Sequence, residues 1–246
     1  MTETITSIRN PLLQNIRRAL QRGEPTPDKL VAIEGRHLLE EALKSPALVE
    51  VVLAPSFWEG YTGDARRIQV SDALLAQVAS TETSPGVIAL VRFAPMRRLG
   101  ELAVVLDGIQ DPGNAGTILR SAEAFGACGA VFPPGTVSPY NPKAMRASAG
   151  SIFRMAIAPA LPEDFHLYAA DAHEGASPRE VDWRRPCAIA VGSEARGLSP
   201  AIRERATLVR IPTVRVESLN AAVSASILLY EASLRPLPEL YEASRR

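Results

Sequence analysis

The stretch VVLDGIQDPGNAGTILRSAEAFGACGAVF, residues 104–132, runs from an apolar segment through a turn rich in Gly and Pro into an amphipathic segment and a second apolar segment. Apolar runs without alternation are typical of strands that are buried on both faces, as in parallel sheets. Between the two runs, Ile118, Ala122 and Phe125 fall on one face of a helix. The stretch therefore predicts a strand, a helix and a second strand, the repeating unit of a parallel α/β sheet.

The turn in this stretch carries more polar groups than a change of chain direction needs. Asn114 is placed to cap the helix by accepting hydrogen bonds from its free N–H groups, and Gly126 is placed to end the helix. A plain strand-to-helix turn accounts for both residues. It does not account for Arg120, because a cation near the start of a helix opposes the helix dipole. A bound anion would explain Arg120, which makes this turn a candidate site.

The same alternation of apolar runs and helical segments extends in both directions. Strand-like runs follow at residues 129–134, 166–172, 187–193 and 207–212, and helix-like segments at residues 115–125, 141–150, 199–205 and 218–234. Toward the N-terminus, the pattern between residues 30 and 93 predicts a smaller α/β domain. The segment APMRRLGE combines Pro, Gly and charge, as linkers do. We therefore expect domains at residues 1–95 and 102–246, joined by a linker at residues 96–101.

Composition excludes several classes of protein. The 27 basic and 27 acidic residues cancel, so the overall charge gives no support to a polyanion partner. No apolar run approaches the roughly 18 residues of a membrane span, and the first residues lack the layout of a secretory signal, so we expect a cytoplasmic protein without a membrane partner. Cys128 and Cys187 are expected to be buried free thiols. The three His residues have no ligand at metal-binding spacing, so we expect no metal.

Charge is nevertheless uneven along the chain. No acidic residue lies between Glu123 and Glu163, whereas Lys143, Arg146 and Arg154 all fall in that window. Two interpretations fit this pattern: a cationic patch for a polyanion, or a basic face that is merely solvated.

A second candidate site is AVGSEARGLSP, residues 190–200. A buried-looking strand ends here, and ligands of parallel sheets bind beyond the carboxyl ends of the strands. Gly192 and Gly197 allow close approach of the backbone to a ligand, and Glu194 adds a hydrogen-bond acceptor. A tight turn with an exposed Glu is the simpler interpretation. The loop does not match the dinucleotide fingerprint, the hydrolase elbow or the P-loop.

A third candidate is RIPTVRVESLNAAVSASILLYEASLRP, residues 210–236. Ser218 is a plausible N-cap for a helix that Pro236 ends, and the small residues from Ala221 to Ser226 give one helix face that packs closely. A core helix explains the Leu and Ile positions. Asn220 is explained less well, since Asn inside a first helical turn is a modest propensity cost.

Taken in order, these segments resemble one family. LDGIQDPGNAGTILRSAEAFGA, RASAGSIFRMAI, GSEARGLSP and IP followed by ESLNAAVSASILLYEA together resemble the SpoU/TrmH family of RNA 2'-O-ribose methyltransferases over about residues 102–235. The segments LVAIEGRHLLEEAL and VEVVLAPS are similar to the family's small L30e-like RNA-binding domain. One departure is IPTVRVESLN, which has no Gly and one residue fewer than the family's usual turn, so we expect the loop that follows Ile211 to be reshaped.

The resemblance implies a trefoil knot in the C-terminal domain, S-adenosylmethionine as cofactor, an RNA substrate and a homodimer formed through the knotted domain. It implies cofactor contacts by Gly192, Glu194, Gly197, Ile211, Ser218, Leu219 and Asn220. It implies a catalytic centre built from Asn114, Arg120, Glu194, Ser218 and Asn220. For RNA binding we expect Arg36, Lys143, Arg146 and Arg154 to contribute.

The expected function is methyl transfer to the ribose 2'-hydroxyl of a specific nucleotide, in ribosomal RNA rather than tRNA by analogy with family members that carry such an N-terminal domain. Three alternatives remain open. The acceptor is a base nitrogen of tRNA, or the chain is an RNA-binding module without catalysis, or it is a plain doubly wound nucleotide-binding enzyme.

Overall fold

The computed structural model describes residues 3–56, 63–94 and 98–234. By their packing, the residues form two compact units. The first comprises Met1–Arg97, Asp111–Arg120 and Val137–Met155, and the second comprises Arg98–Gln110, Ser121–Thr136 and Ala156–Arg246. Two segments that follow the expected linker thus group with the N-terminal residues. The domain boundaries at 95 and 102 stay a prediction, and residues 96 and 97 of the linker lie outside the described residues.

The N-terminal elements form a mixed sheet in the order β1-β4-β3-β5-β2, in which β3 pairs antiparallel with β5 and parallel with β4. The elements are β1 (Glu3–Thr4), α1 (Pro11–Arg22), β2 (Val31–Glu34), α2 (Arg36–Leu43), β3 (Leu48–Ala54), β4 (Arg66–Gln69), α3 (Asp72–Val78) and β5 (Ile88–Arg92). Helix α1 buries Leu13, Ile16 and Leu20 in the apolar core of this unit, together with residues of α3 and the sheet. The expected small N-terminal α/β part is confirmed.

The later elements are β6 (Leu102–Asp107), α4 (Pro112–Ala124), β7 (Gly129–Val131), α5 (Pro142–Ala147), a 3-10 turn (Ser151–Phe153), β8 (Ala156–Ala158), β9 (His166–Ala170), β10 (Cys187–Gly192), α6 (Pro200–Arg205), β11 (Thr207–Val209) and α7 (Ala221–Ser233). The strands form one six-stranded sheet in the order β11-β9-β10-β6-β7-β8. Every neighbouring pair is parallel, which confirms the sheet that the apolar runs predict.

Strands β6 and β10 lie at the centre of this sheet, and nearly every residue of both is buried. Their register places Val104 opposite Ile189 and Asp107 opposite Gly192. The two strands therefore end at the same edge, where a polar residue follows each apolar run. This edge is where a ligand site of a parallel sheet is expected.

The start of α4 corrects one prediction. The helix begins at Pro112, a favoured first position because proline lacks the N–H that would go unpaired there. Asp111 is the cap: its carbonyl accepts from the Ala115 N–H and its Oδ1 accepts from the Asn114 N–H at 2.8 Å. Asn114 lies inside the first turn, so its assignment as N-cap is wrong. Gly126 ends the helix as predicted, with a φ of 83°.

The start of α7 corrects a second prediction. The helix begins at Ala221, and its cap is Asn220, whose Oδ1 accepts from the Ala222 N–H at 2.9 Å. The prediction of Ser218 as N-cap is therefore wrong by two residues. The propensity cost expected at Asn220 does not arise, because this residue precedes the helix and satisfies its free N–H groups. Pro236, predicted to end the helix, lies outside the described residues.

Within the described ranges, no helix has the length and apolar character needed to cross a membrane. Both cysteines are free thiols; Cys187 is buried in β10, whereas Cys128 is half-buried rather than buried as expected. Burial raises the pKa of the Cys187 thiol to about 11, so this group stays protonated at neutral pH.

Candidate active site

A cleft of about 720 Å³ lies at the carboxyl edge of the parallel sheet in the second unit. Residues 170–173 line it from the end of β9, and residues 191–194 and 196–198 line it from the end of β10. Ile211, Thr213 and residues 217–221, in the segment that leads into α7, complete the wall together with Arg203 of α6. Two stretches that are distant in sequence, the second and third candidate sites, thus meet around one cavity.

The loop after β10 turns back on itself. Ser193 and Gly197 exchange backbone hydrogen bonds, with the Gly197 N–H donating to the Ser193 carbonyl at 2.8 Å. Gly197 has a φ of 64°, in the left-handed region that favours glycine. A Cβ added to Gly192 would overlap the carbonyl group of Gly197 and lie 2.5 Å from the Leu198 nitrogen. Both glycines are therefore required by the loop's geometry, which leaves backbone groups close to the cavity.

A buried carboxylate at the end of β6 holds the far end of this loop. The side chain of Asp107 accepts a hydrogen bond from the Ser199 N–H at 2.6 Å, and only 7% of Asp107 is exposed. Because Asp107 lies opposite Gly192 in the sheet, the loop is fixed at both ends. Sequence reasoning missed Asp107. The signal was an acidic residue directly after a buried strand.

A second carboxylate shapes the wall formed after β9. Asp171 Oδ1 accepts from the N–H groups of His173 and Glu174, both at 2.9 Å, and its other oxygen pairs with Arg203. Burial alone would raise the pKa of Asp171, but these hydrogen bonds and the guanidinium outweigh it and lower the pKa. Asp171 is therefore ionised at neutral pH, and its charge is balanced by that of Arg203 on the same wall. Asp171 was also missed, although it follows a strand in the sequence HLYAADA.

The segment before α7 forms its turn without a glycine. The Thr213 hydroxyl donates to the Val216 carbonyl at 2.7 Å, which spans the turn where the sequence departs from the family pattern. Ile211 and Leu219 are half-buried and contribute apolar surface to the cleft. Ile211 thus faces the cavity in spite of the shortened loop.

The structure brings the predicted cofactor residues together. All of them line the cleft: Gly192, Glu194, Gly197, Ile211, Ser218, Leu219 and Asn220. Their role in binding a cofactor stays a prediction. Three of the predicted catalytic residues, Glu194, Ser218 and Asn220, are in the same set.

The other two predicted catalytic residues lie on α4, in the part of this helix that belongs to the first unit. Asn114 is half-buried in the first turn. Arg120 lies in the second half of α4 rather than near its start, so the expected conflict with the helix dipole does not arise. Arg120 is exposed, and none of the ion pairs between described residues involves it. Its guanidinium is therefore accessible to an external anion.

The cations predicted to bind RNA are all ion-paired within the first unit. The pairs are Arg36 with Glu40 at 2.9 Å, Lys143 with Asp111 at 3.3 Å, Arg146 with Glu34 at 3.0 Å and Arg154 with Glu41 at 2.9 Å. The window without acidic residues is thus neutralised by carboxylates from other parts of the chain. A contribution of these four residues to RNA binding stays a prediction.

The described residues contain no group of three or more His, Cys, Asp or Glu side chains that could hold a metal ion. The cleft is instead lined by backbone groups, apolar side chains, three carboxylates (Asp171, Glu194 and Glu217) and two guanidinium groups (Arg196 and Arg203). Such a lining suits an organic ligand that has both apolar and charged parts.

Comparison with known proteins identifies relatives of the whole chain. RlmP of Bacillus subtilis strain 168, a 23S rRNA (guanosine(2553)-2'-O)-methyltransferase, is 35% identical over 92% of this chain and 97% of its own. The AdoMet-bound rRNA methyltransferase of Sinorhizobium meliloti is 28% identical, with a TM-score of 0.78 over 94% of this chain and 97% of that one. The SpoU methyltransferase AviRb of Streptomyces viridochromogenes, crystallised with AdoMet, is 26% identical, with a TM-score of 0.79 over 92% and 97%.

These similarities confirm the expected fold class. It is an α/β protein with a parallel sheet like that of the knotted SpoU methyltransferases and a smaller N-terminal α/β part. The model of the SpoU rRNA Methylase family matches residues 101–230, which include all six strands of the parallel sheet and every wall of the cleft. Since this match spans more than half of the sequence, the chain belongs to the SpoU rRNA methylase family of RNA methyltransferases.

Proposed function

We propose that the protein transfers a methyl group from S-adenosylmethionine to the ribose 2'-hydroxyl of one nucleotide in ribosomal RNA. The observation that carries this proposal is the convergence of two sequence-distant segments, 191–198 and 211–221, on a single cleft at the carboxyl edge of the sheet. The activity in the name of RlmP, a relative along nearly the whole chain, supports the ribose acceptor and the ribosomal substrate.

The cleft fits S-adenosylmethionine in size and chemistry. Its volume of about 720 Å³ falls in the range of roughly 300 to 1,000 Å³ that is usual for sites of small organic ligands. Leu198, Ile211 and Leu219 offer apolar surface for the adenine ring, and the loop from Gly192 to Gly197 offers backbone donors and acceptors. Glu194 and Glu217 offer carboxylates on the wall to a cationic ligand. When bound, S-adenosylmethionine supplies an electrophilic methyl group on a sulfonium.

Side chains of the cleft fix its walls rather than take part in bond making. Asp107 and Asp171 hold the two loops, and Asn220 caps α7 beside the cavity. We assign Glu194 and Ser218 to hydrogen bonds with the loops or the ligand. Rigid walls of this kind align donor and acceptor, and good alignment can contribute roughly 7 to 11 kcal/mol to a displacement reaction.

Arg120 is assigned to the RNA phosphate beside the target ribose. A guanidinium stays protonated at neutral pH, and its fork matches a phosphate with two parallel hydrogen bonds. Its exposure, with no carboxylate partner among the described residues, leaves the fork available. The ribose proton then passes to that phosphate, because the protonated Arg120 has no site to accept it. Asn114, in the first turn of α4, shapes this turn and orients Arg120 or the ribose.

The proposed assembly is a homodimer. The small-residue face of α7 is not available for this contact, because it is buried inside the second unit: Ala222 is 4% and Ala225 0% exposed. An apolar stripe on the same helix is exposed instead, including Val223 at 47% and Tyr230 at 48%. We therefore assign the contact to this stripe. Light scattering at micromolar concentration is expected to give a dimer, and a monomer would contradict the assignment.

Methyl transfer is tested with purified protein, protein-free ribosomal RNA and labelled S-adenosylmethionine. After digestion to nucleosides, mass spectrometry should place the label on ribose, and a DNA oligomer of matching sequence should stay unlabelled, since only RNA has the 2'-hydroxyl. Label on a base, or transfer to tRNA alone, would favour the base-methylating alternative. Binding of RNA without any transfer, together with no heat of binding for S-adenosylmethionine, would favour a non-catalytic module.

A further inference from the structure

We propose that the outer face of α1 is the surface that binds the phosphates of the substrate RNA. This inference rests on the proposed function, because RNA is the polyanion that such an enzyme must hold. The inference does not rest on the four cations that the sequence predicts to bind RNA. The surface is formed by Arg17, Arg18 and Arg22 of the helix, with Arg9 just before it.

The charge of this region has one sign. Residues 5–23 contain Arg9, Arg17, Arg18 and Arg22 and no acidic residue. All four side chains are exposed. The chain as a whole has no net charge, so this stretch concentrates cations that are offset by acids elsewhere. A local excess of one charge on an exposed face is the electrostatic footprint of a polyanion site.

These arginines differ from the four cations predicted earlier in having no carboxylate partners. Among the described residues, no acidic side chain lies within 4 Å of Arg9, Arg17, Arg18 or Arg22. A guanidinium that already pairs with a carboxylate must give up that contact to bind phosphate. The α1 arginines have no such contact to break, so the whole free energy of a phosphate contact contributes to RNA binding.

Stability of the helix does not explain the arrangement. Arg18 and Arg22 stand at positions i and i+4, where like charges repel and destabilise an isolated helix. Arg22 gains something from its place in the last turn, because the helix dipole favours a cation there. Arg17 and Arg18 have no such compensation. An external anion would remove the repulsion.

The geometry suits a nucleic-acid backbone. The rise of the helix places Arg18 and Arg22 about 6 Å apart along its axis, so both reach one stretch of backbone. Each guanidinium can grip a phosphate with two hydrogen bonds. The opposite face of α1 is buried, with Leu13 and Ile16 at 0% exposure. The helix therefore has no free apolar face to insert into a lipid surface, which argues against a membrane as the partner.

The test compares two triple variants with the same loss of charge. The first is Arg17→Gln/Arg18→Gln/Arg22→Gln, in which Gln keeps a similar helix propensity. The matched control is Arg98→Gln/Arg179→Gln/Arg184→Gln, at exposed positions outside α1 and outside the cleft. Circular dichroism and thermal unfolding check that both variants fold. Filter binding to protein-free 23S rRNA is then measured from about 50 to 300 mM KCl, the range in which phosphate contacts weaken.

The wild-type protein and the control should show the same dependence of log K on log salt. The α1 variant should show a slope shallower by about 2 to 3, because each lost phosphate contact removes roughly 0.7 to 0.9. Its affinity near 150 mM salt should fall by on the order of tenfold or more. An unchanged slope in the α1 variant, or an equal change in the control, would overturn the proposal.

The same samples separate this inference from the proposed function. Calorimetry with S-adenosylmethionine should give the same affinity for all three proteins. Methyl transfer by the wild type together with an unchanged salt slope in the α1 variant would overturn the α1 surface alone. RNA binding that depends on α1, without any methyl transfer, would contradict the proposed function and leave the surface intact.

Discussion

Arg120 is the side chain on which the proposed chemistry depends most. Lysine at this position keeps the charge but not the planar fork. We expect Arg120→Lys and Arg120→Ala each to lower turnover roughly 100-fold or more, the usual effect of removing a donor that stabilises a reacting group. Single-turnover methylation of ribosomal RNA measures this effect, and the affinity for S-adenosylmethionine should not change. Near wild-type turnover in Arg120→Lys would show that the fork is irrelevant.

Asp171 makes the cleft sensitive to acid. Its pKa is lowered in the folded protein, so its contribution to stability is fully present above the unfolded pKa of about 4 and is lost as the pH falls through the folded value. The wild type should be more stable than Asp171→Asn at pH 7, and the difference should shrink between about pH 5 and pH 3. Thermal unfolding at several pH values measures both proteins. A difference that stays constant over this range would contradict the ionised pair with Arg203.

Glu34 is predicted to matter for stability more than its exposed neighbour Glu40. Its side chain is 1% exposed and accepts from Arg146, from the Ser80 N–H and from the Ser80 hydroxyl. Glu34→Ala removes three hydrogen bonds to a buried carboxylate; because Ser80 and Arg146 are exposed and water replaces part of the lost contact, we expect a loss of about 1.5 to 3 kcal/mol in the free energy of unfolding. Glu40→Ala removes only an exposed pair and should cost less than about 0.5 kcal/mol. Urea denaturation compares the two, and equal losses would contradict the burial argument.

At the scale of elements, the loop after β10 is the part of the cleft with least freedom. Gly192→Ala would drive a methyl group into the Gly197 carbonyl and force the turn open. We expect the affinity for S-adenosylmethionine to fall by on the order of tenfold or more, since overpacking of this kind typically costs 1 to 3 kcal/mol. Calorimetry measures it. Ala195→Ser, at an exposed position of the same loop, is the control; equal affinities of the wild type and Gly192→Ala would contradict this account of the loop.

Sequence patterns predict the elements whose burial is continuous. Strands β6, β9 and β10 are apolar runs between clear turn signals, and they appear where the pattern places them. The short strands β4 and β8 escape prediction, because RRIQ carries two arginines and AIA has only three residues. Helix α1 was missed as well, although Asn10 caps it and Gly23 ends it. The residues before Leu30 contain no strand-like apolar run, so the α/β alternation does not extend to this helix.

The candidate site was predicted in part for a related reason. Motif residues such as Gly192 and Asn220 can be read from local sequence, and they line the cleft. The roles of Asp107 and Asp171 depend on which strand ends lie side by side, which local sequence does not state. The pairing of Arg146 with Glu34 spans 112 residues, so a window without acidic residues suggested free cations that the fold neutralises.

At the scale of the whole molecule, the proposed RNA-binding arginines belong to the first unit and the proposed ligand cleft belongs to the second. A chain with no net charge gains no general attraction to RNA, so affinity must come from local surfaces such as the outer face of α1. The cleft at the carboxyl edge of the sheet is the proposed site of the small ligand, and the phosphate contact proposed for Arg120 would set the register of the nucleotide. Affinity and choice of nucleotide are therefore expected to respond to different substitutions.

The most direct measurement is a map of ribose methylation across total RNA from cells with and without the gene. One 2'-O-methyl mark in ribosomal RNA should be missing without the gene and return with the wild-type sequence but not with Arg120→Ala. A map that is identical in both cells, or a change confined to a methylated base, would contradict ribose methylation as the function of this protein.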